Sequence, residues 1–400
     1  MAAAPKRCVG RQREPLMMNP RRVVTLLVIA AVVLAVGFWI SGANRHESST
    51  TQGKPVLPDL KKALNDVKEL RFAKADGTHA TLRKEDTDWV VAERNFAADA
   101  SRVRKLLLDL SALEVVEEKT SNPERYADLS VEDVPAANPA QPAPARPAKE
   151  PYDYSAPIKA TRIDIVTPAK TWTLINGKSG GGKSGYVRVV GGKQSLLASP
   201  RLDTDAEPQR WLDKTIIDLP QARIQSVAVQ PAKGPAYTVS RDKRETENFT
   251  VSNIPKARKL SYEGSGNAVA NSLESVSLDD VTAKPATPPA PAAGVTVENS
   301  KATYKTFDGI TVDVTGRKES AAGLKKDDPK VEHYYIALAV SSTDKATQGE
   351  AQKLDAHVKG REFEISSYKY EGMFKPLDDL LEPLPAKPEK PGKKKAETSP

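Results

Sequence analysis

The segment Val67 to Ala73 reads VKELRFA, and the turn Ala75-Asp76-Gly77 joins it to Ala80-Thr81-Leu82-Arg83. An Asp-Gly dipeptide between two β-forming runs signals a hairpin, because glycine supplies the positive φ that a tight turn needs. A third run, Asp88 to Ala92 (DWVVA), follows. Asp99 then stands ready to cap a helix whose apolar positions, Val103, Leu106, Leu107, Leu110 and Leu113, share one face. Glu114 to Glu118 reads as a closing strand. With Leu57, Leu60 and Leu64 leading in at helical spacing, the unit is β-β-β-α-β.

The same order returns further along the chain. Trp211 to Pro220 leads into Ile224 to Val229 (IQSVAV), then Tyr237 to Ser240, then Phe249-Thr250-Val251. Val67, Leu70 and Leu82 match Ile224, Val227 and Val239 at a constant offset of 157. At the helix, where Asn267 is the expected cap, Val103, Leu107 and Leu110 match Val269, Leu273 and Val276 at an offset of 166. Leu278 to Val281 repeats the closing strand. An internal duplication is the economical reading, with chance similarity of short amphipathic elements as its rival.

The remaining chain divides around these two copies. The expected fold class is α+β: a single transmembrane helix followed by repeated, mainly antiparallel β-β-β-α-β units. The boundaries are a first unit at 57–134, a β-rich middle unit at 158–210, a second copy at 211–283 and a third α+β unit at 297–384. In the third, Ile310, Val312 and Val314 share a strand face, Glu332 to Val340 is strand, and Gln348 to Val358 reads as helix. Linkers rich in Pro and Ala at 135–157 and 284–296, and a Pro/Lys tail at 385–400, have little to bury.

Val23 to Ile40 is an uncharged run long enough, as a helix, to span most of a ~30 Å hydrocarbon core. Residues 1–22 carry six bases against one acid, which keeps that end cytoplasmic and exports the rest, with 41–56 as a tether. A cleavable signal peptide is the rival reading, with Ser41-Gly42-Ala43 as the peptidase site, but the apolar run exceeds the usual signal core. The expected location is therefore the bacterial inner membrane, single pass, with the bulk of the chain periplasmic. The net charge of +8 resides in the two ends, +5 in residues 1–22 and +3 in 385–400, so the body is neutral. A nucleic-acid binder needs a basic face on folded chain, so none is expected as a partner. The one cysteine, Cys8, precedes the apolar run, so the exported part carries no disulfide or thiol chemistry.

Gly177 to Ser184 (GKSGGGKS) satisfies the phosphate-loop pattern letter for letter. Such a loop must open a helix, yet Gly185-Tyr186-Val187-Arg188-Val189-Val190 is β-branched and ends at Gly191-Gly192, so it reads as a hairpin and no nucleotide is expected. His46, His79, His333 and His357 share no metal-ligand spacing. Glu117-Glu118 and Asp279-Asp280 read as solvated charge. Trp89, Trp172 and Trp211 read as core or packing between units. Tyr368 and Tyr370, alternating with Lys369 and Glu371, form either a binding face or a strand rim. No catalytic, cofactor-binding or metal residue is assigned, and the chain reads as non-enzymatic.

The order of several short motifs resembles a known family. These are Asn122 to Leu129 (NPERYADL), Gly185 to Arg188 (GYVR), Trp211-Leu212-Asp213, Phe307 to Ile310 (FDGI), Phe363 to Lys369 (FEISSYK) and Leu377 to Leu381 (LDDLL). Together they resemble the bacterial envelope family catalogued as domain of unknown function 4340. The resemblance implies a single-pass envelope protein, often encoded beside a gliding-motility-type ABC transporter and its auxiliary component. The expected role is an accessory or scaffold of such a system, with the inner membrane and possibly the permease and auxiliary subunit as partners. The alternative is an extracytoplasmic binding module for cell-wall polymer or a small ligand.

Overall fold

The hairpin at Gly77 nucleates the first of two sheets. α1 (Leu60–Ala63) passes through a 3-10 turn into β1 (Glu69–Ala73), and Gly77, at φ +87°, returns the chain as β2 (His79–Glu85). β3 (Asp88–Val91) and a short β4 (Phe96–Ala97) extend the meander. α2 (Ala100–Ser111) follows, and the Asp99 carboxylate accepts from the backbone N–H of Ser101 at 2.9 Å and Arg102 at 3.1 Å. That cap satisfies two otherwise orphaned donors, while Val103, Leu106 and Leu110 bury the helix's apolar face. β5 (Glu114–Glu118) comes next. β6 (Thr161–Val166), β7 (Thr171–Gly181), β8 (Ser184–Val189) and β9 (Ser195–Ser199) complete the sheet, in the order β4-β3-β2-β1-β6-β7-β8-β9-β5.

The stretches 57–134 and 158–210 are therefore one sheet rather than separate units. Leu70 on β1 lies opposite Ile165 on β6, and β5 pairs with β9 instead of closing on the first hairpin. The cause is the helix between β4 and β5, which carries the chain to the opposite edge. Nine strands set flat would separate the edges by roughly 38 Å, whereas a 12-residue helix spans about 18 Å. The helix alone is too short to bridge a flat sheet, so twist and coiling of the strands must bring the two edges closer.

The second sheet follows the same plan. Its strands are β10 (Thr215–Ile217), β11 (Ile224–Gln230), β12 (Tyr237–Ser240) and β13 (Thr250–Val251). After a single-turn α3 (Asn267–Ala270) come β14 (Val276–Ala283), β15 (Val295–Thr306), β16 (Ile310–Ala321) and β17 (Val331–Ser342). α4 (Gln348–Val358), β18 (Arg361–Ile365) and α5 (Ser367–Met373) follow, and then a 3-10 turn at Leu377–Leu380. Read from its other end, the order β10-β14-β18-β17-β16-β15-β11-β12-β13 matches that of the first sheet over eight strands, with β11 in the place of β1 and β14 in that of β5; β4 at one edge of the first sheet and β10 at one edge of the second have no counterpart. Leu70 pairs with Leu82 and Val227 with Val239, all four fully buried, so the constant offset is a conserved cross-strand register between the halves. Every pairing between described strands is antiparallel, and the fold is α+β with β dominant.

The helices of the two halves differ. Asn267 does not cap α3: it is the first helical residue, and its amide oxygen accepts from Phe249 N at 3.0 Å while its amide nitrogen donates to Asn248 Oδ1. Val276 opens β14 instead of continuing the helix. The second linker, expected to run to 296, gives way to β15 at Val295.

The halves share one apolar core. Trp211, fully buried, stacks on Phe72 of β1 at 4.7 Å, and Arg102 of α2 lies 4.5 Å from the indole centroid. Asp99 N donates to Trp211 O, and Asp213 N to Ala97 O, so the entry to the second half is stitched to the edge of the first. Arg94 grips Asp280 through two hydrogen bonds of 2.7 and 2.9 Å. Asp280 is thus an ion-pair partner across the halves and not the solvated charge expected of it.

The structure, a computed structural model, describes residue 32 and residues 51–137, 159–285, 294–321 and 331–383. The basic tail at 1–22, the anchor at 23–40 apart from Val32, most of the tether and both linkers, and the tail at 385–400 lie outside them. Among the described residues no helix is long and apolar enough to cross a membrane.

Candidate functional site

α5 builds the site. Ser366 accepts from Lys369 N, and behind that cap Tyr370, Met373 and Phe374 fall at i, i+3 and i+4 on one buried face. The Tyr368/Tyr370 alternation reads as a binding face or a strand rim; the strand is overturned, since the two rings leave a helix in different directions. Tyr370 is buried, and Tyr368 is 79% exposed. The helical spacing of Tyr370, Met373 and Phe374 was the available signal.

The buried rings press on β16 at a residue without a side chain. A Cβ on Gly316 would fall 2.3 Å from Phe374 Cε2 and 2.9 Å from Tyr370 Cε2, distances no real contact shows. Phe374, Tyr370 and Tyr334 of β17 then form a chain of tilted rings, with centroids 4.7 and 5.2 Å apart. Beside them opens a cleft of about 610 Å³, walled by α5, α3 and the ends of β15, β16 and β17. Ser272, Ser300 and Asn271 supply neutral polar groups to its lining. The Tyr370 hydroxyl is buried beside Ser300.

The charges around the cleft are largely matched. Lys233 pairs with Glu298 at 2.6 Å, Lys318 with Glu332 at 2.9 Å, and the Lys369 ammonium donates to the carbonyl of Glu274. Tyr334 donates to Glu332 as well. Those hydrogen bonds, Tyr334's first and then Lys318's, hold the Glu332 carboxyl below its usual range. Burial, reinforced by Glu332, raises the Tyr334 phenol.

The opposite face of the same strands carries a second cluster. Arg317 stacks over Tyr335 at 4.2 Å and binds Glu362 through both carboxylate oxygens. His333 Nδ1 lies 2.9 Å from Glu364. Burial, followed by Glu364 and Glu319, pushes the Tyr335 phenol up to about 12.

The other residues singled out in the sequence are brought to no common site. His79 bonds the carbonyl of Gly77 in the first hairpin, and His357 bonds Thr215 O and packs on Phe96. Among the described residues no group of three or more His, Cys, Asp and Glu could hold a metal ion. Gly177 to Ser184 is the β7–β8 hairpin, with Gly181 at φ +97° and Gly182 at +55°, and the segment after it is strand. Glu117 pairs with Lys119, and Glu118 accepts from Thr51.

The short motifs prove to be fasteners. In the first half Arg188, 3% exposed, donates to Val131 O at 2.9 Å and to Gly192 O at 3.2 Å, pairs with Asp133, and stacks 4.6 Å from the Tyr126 ring. NPERYADL is thereby clamped to GYVR on the face of the sheet away from α2. In the second half Asp308 of FDGI accepts from Thr306 and from Arg223, which also binds Glu350 of α4. The family model described as "Domain of unknown function (DUF4340)" matches residues 89–294. The chain belongs to this family. The match contains NPERYADL, GYVR and Trp211-Leu212-Asp213, so in this DUF4340 protein the Tyr126–Arg188 clamp and the Trp211 junction lie within the family's segment, while the tyrosine cleft is built mainly beyond it. No curated protein and no solved structure matches the chain.

Proposed function

We propose that this DUF4340 protein is a non-enzymatic envelope protein, held at the bacterial inner membrane by residues 23–40, that works by binding a ligand in its exported part. The tyrosine-lined cleft carries this reading. Its volume lies in the range of small-molecule sites, and its wall mixes aromatic faces with a few convergent polar groups. Lys233 and Lys318 beside it are engaged by carboxylates and Lys369 by a backbone carbonyl, as suits a site that holds a ligand without reacting with it.

A second reading, that the protein is an accessory or scaffold of a gliding-motility-like ABC transporter, is favoured by the family membership. A tethered protein meets neighbouring membrane proteins at raised effective concentration, so weak contacts suffice. Ala31 and Ala35 give the anchor a small-xxx-small spacing for helix packing. Two measurements test these readings together. An alkaline phosphatase fused after Ala43 is expected to be active, and the intact protein, purified in mild detergent, is expected to bring down a permease or auxiliary subunit. An inactive fusion removes the envelope location. Repeated purification alone removes the transporter and leaves ligand binding.

A further inference from the structure

We propose that the cleft takes a short, neutral oligosaccharide bearing N-acetyl groups, an inference that rests on the ligand-binding reading above. A pyranose ring has one face of C–H groups and a rim of hydroxyls. It therefore asks for an aromatic surface and polar side chains side by side. Tyr368 offers a ring that is 79% exposed at the cleft, and the largely buried Tyr334 and Tyr370, packed on each other, also border it. The negative face of a phenol ring attracts polarised C–H groups.

The charge pattern selects among ligand classes. A phosphate or polyanion site needs cations in excess, aimed at one point. Here Lys233 and Lys318 are each neutralised by a carboxylate, and Lys369 is turned to a backbone carbonyl. With Lys375, Glu371 and Asp379 also on the wall, the four lysines face four carboxylates, Glu332 included, so the lining offers donors and acceptors whose formal charges cancel, which suits hydroxyl groups. A wholly apolar ligand would leave those groups without water or partner.

The small residues on the rim address the acetyl group. Pro231, Ala232, Ala268 and Pro376 give apolar surface for a methyl, and the exposed carboxamide of Asn271 stands among them to pair with an acetamide. At about 610 Å³ the space accepts two or three pyranose rings.

The test is calorimetric titration of the full chain in detergent with the N-acetylglucosamine trisaccharide. Tyr368→Ala, at an exposed position, is expected to weaken binding about tenfold with the melting temperature unchanged, and Tyr368→Phe to retain it. Asn271→Ala is expected to weaken the acetylated trisaccharide while leaving an unacetylated glucose trisaccharide, the weaker ligand throughout, unaffected. Absence of trisaccharide binding at millimolar concentration, or equal binding by Tyr368→Ala, overturns the proposal. Capture instead of a peptide that Tyr368→Ala releases overturns the saccharide class and leaves ligand binding standing. Cleft variants that alter neither ligand capture nor the phenotype of a deletion strain overturn both.

Discussion

Asp308 shows how much one turn residue holds in place. It sits before Gly309, at φ +84°, and ties the β15–β16 turn to Arg223 and, through Arg223, to α4. Burial alone would raise its carboxyl above the ordinary 3.8, but the Thr306 hydroxyl and Arg223 outweigh that and hold it below. A depressed folded-state value favours the native state above pH 3.8, and the benefit fades as pH falls through the depressed value. Asp308→Asn is expected to cost about 1 kcal/mol at pH 7 and less as the pH falls below 3.8, read from urea midpoints at pH 7 and pH 2.5. An equal loss at both would show that the carboxylate's charge contributes nothing.

Among the elements, α5 depends on a residue of another one, Gly316 on β16. Because the Phe374 and Tyr370 rings occupy the space of a Cβ, Gly316→Ala is expected to lower stability by about 1–3 kcal/mol and to disturb the near-ultraviolet signal of the tyrosines. Unchanged stability and spectrum would show that α5 moves aside freely. The contrast with other elements explains what could be read in advance. β5 and α4 appear at their expected boundaries, Glu114–Glu118 and Gln348–Val358, because their patterns are local. The edge on which β5 pairs is set by the reach of α2, a matter of sheet geometry that no local pattern carries. The cleft was half legible: Tyr368 and Tyr370 stood out, but period-two alternation hid a helix whose inward face only Met373 and Phe374 reveal. Arg188 and Tyr126 stood in recognisable motifs, yet their contact spans residues distant in sequence.

At the scale of the molecule, two copies of one topology share a core across the Trp211 junction and the Arg94–Asp280 pair. Both side chains of that pair are about one-fifth exposed, so breaking it strands a charge in a poorly hydrated place. Arg94→Ala and Asp280→Ala are each expected to cost roughly 2 kcal/mol, and the double variant clearly less than their sum. Denaturant unfolding of the four proteins measures the coupling, and strict additivity would remove the pair from the joint between halves.

The described chain begins by pairing with β5. Gly53 N donates to Val115 O and Val56 N to Leu113 O, each at 2.8 Å, and Val115 N returns a bond to Lys54 O at 2.9 Å. For a protein tethered by its N-terminal side, any tension in the tether arrives at these three bonds before it reaches the sheet. In the proposed anchored arrangement they act as a mechanical fuse: a modest pull peels residues 53–56 away from β5 and lengthens the leash, while β1 behind them, bonded to β2 on one side and β6 on the other, keeps its register.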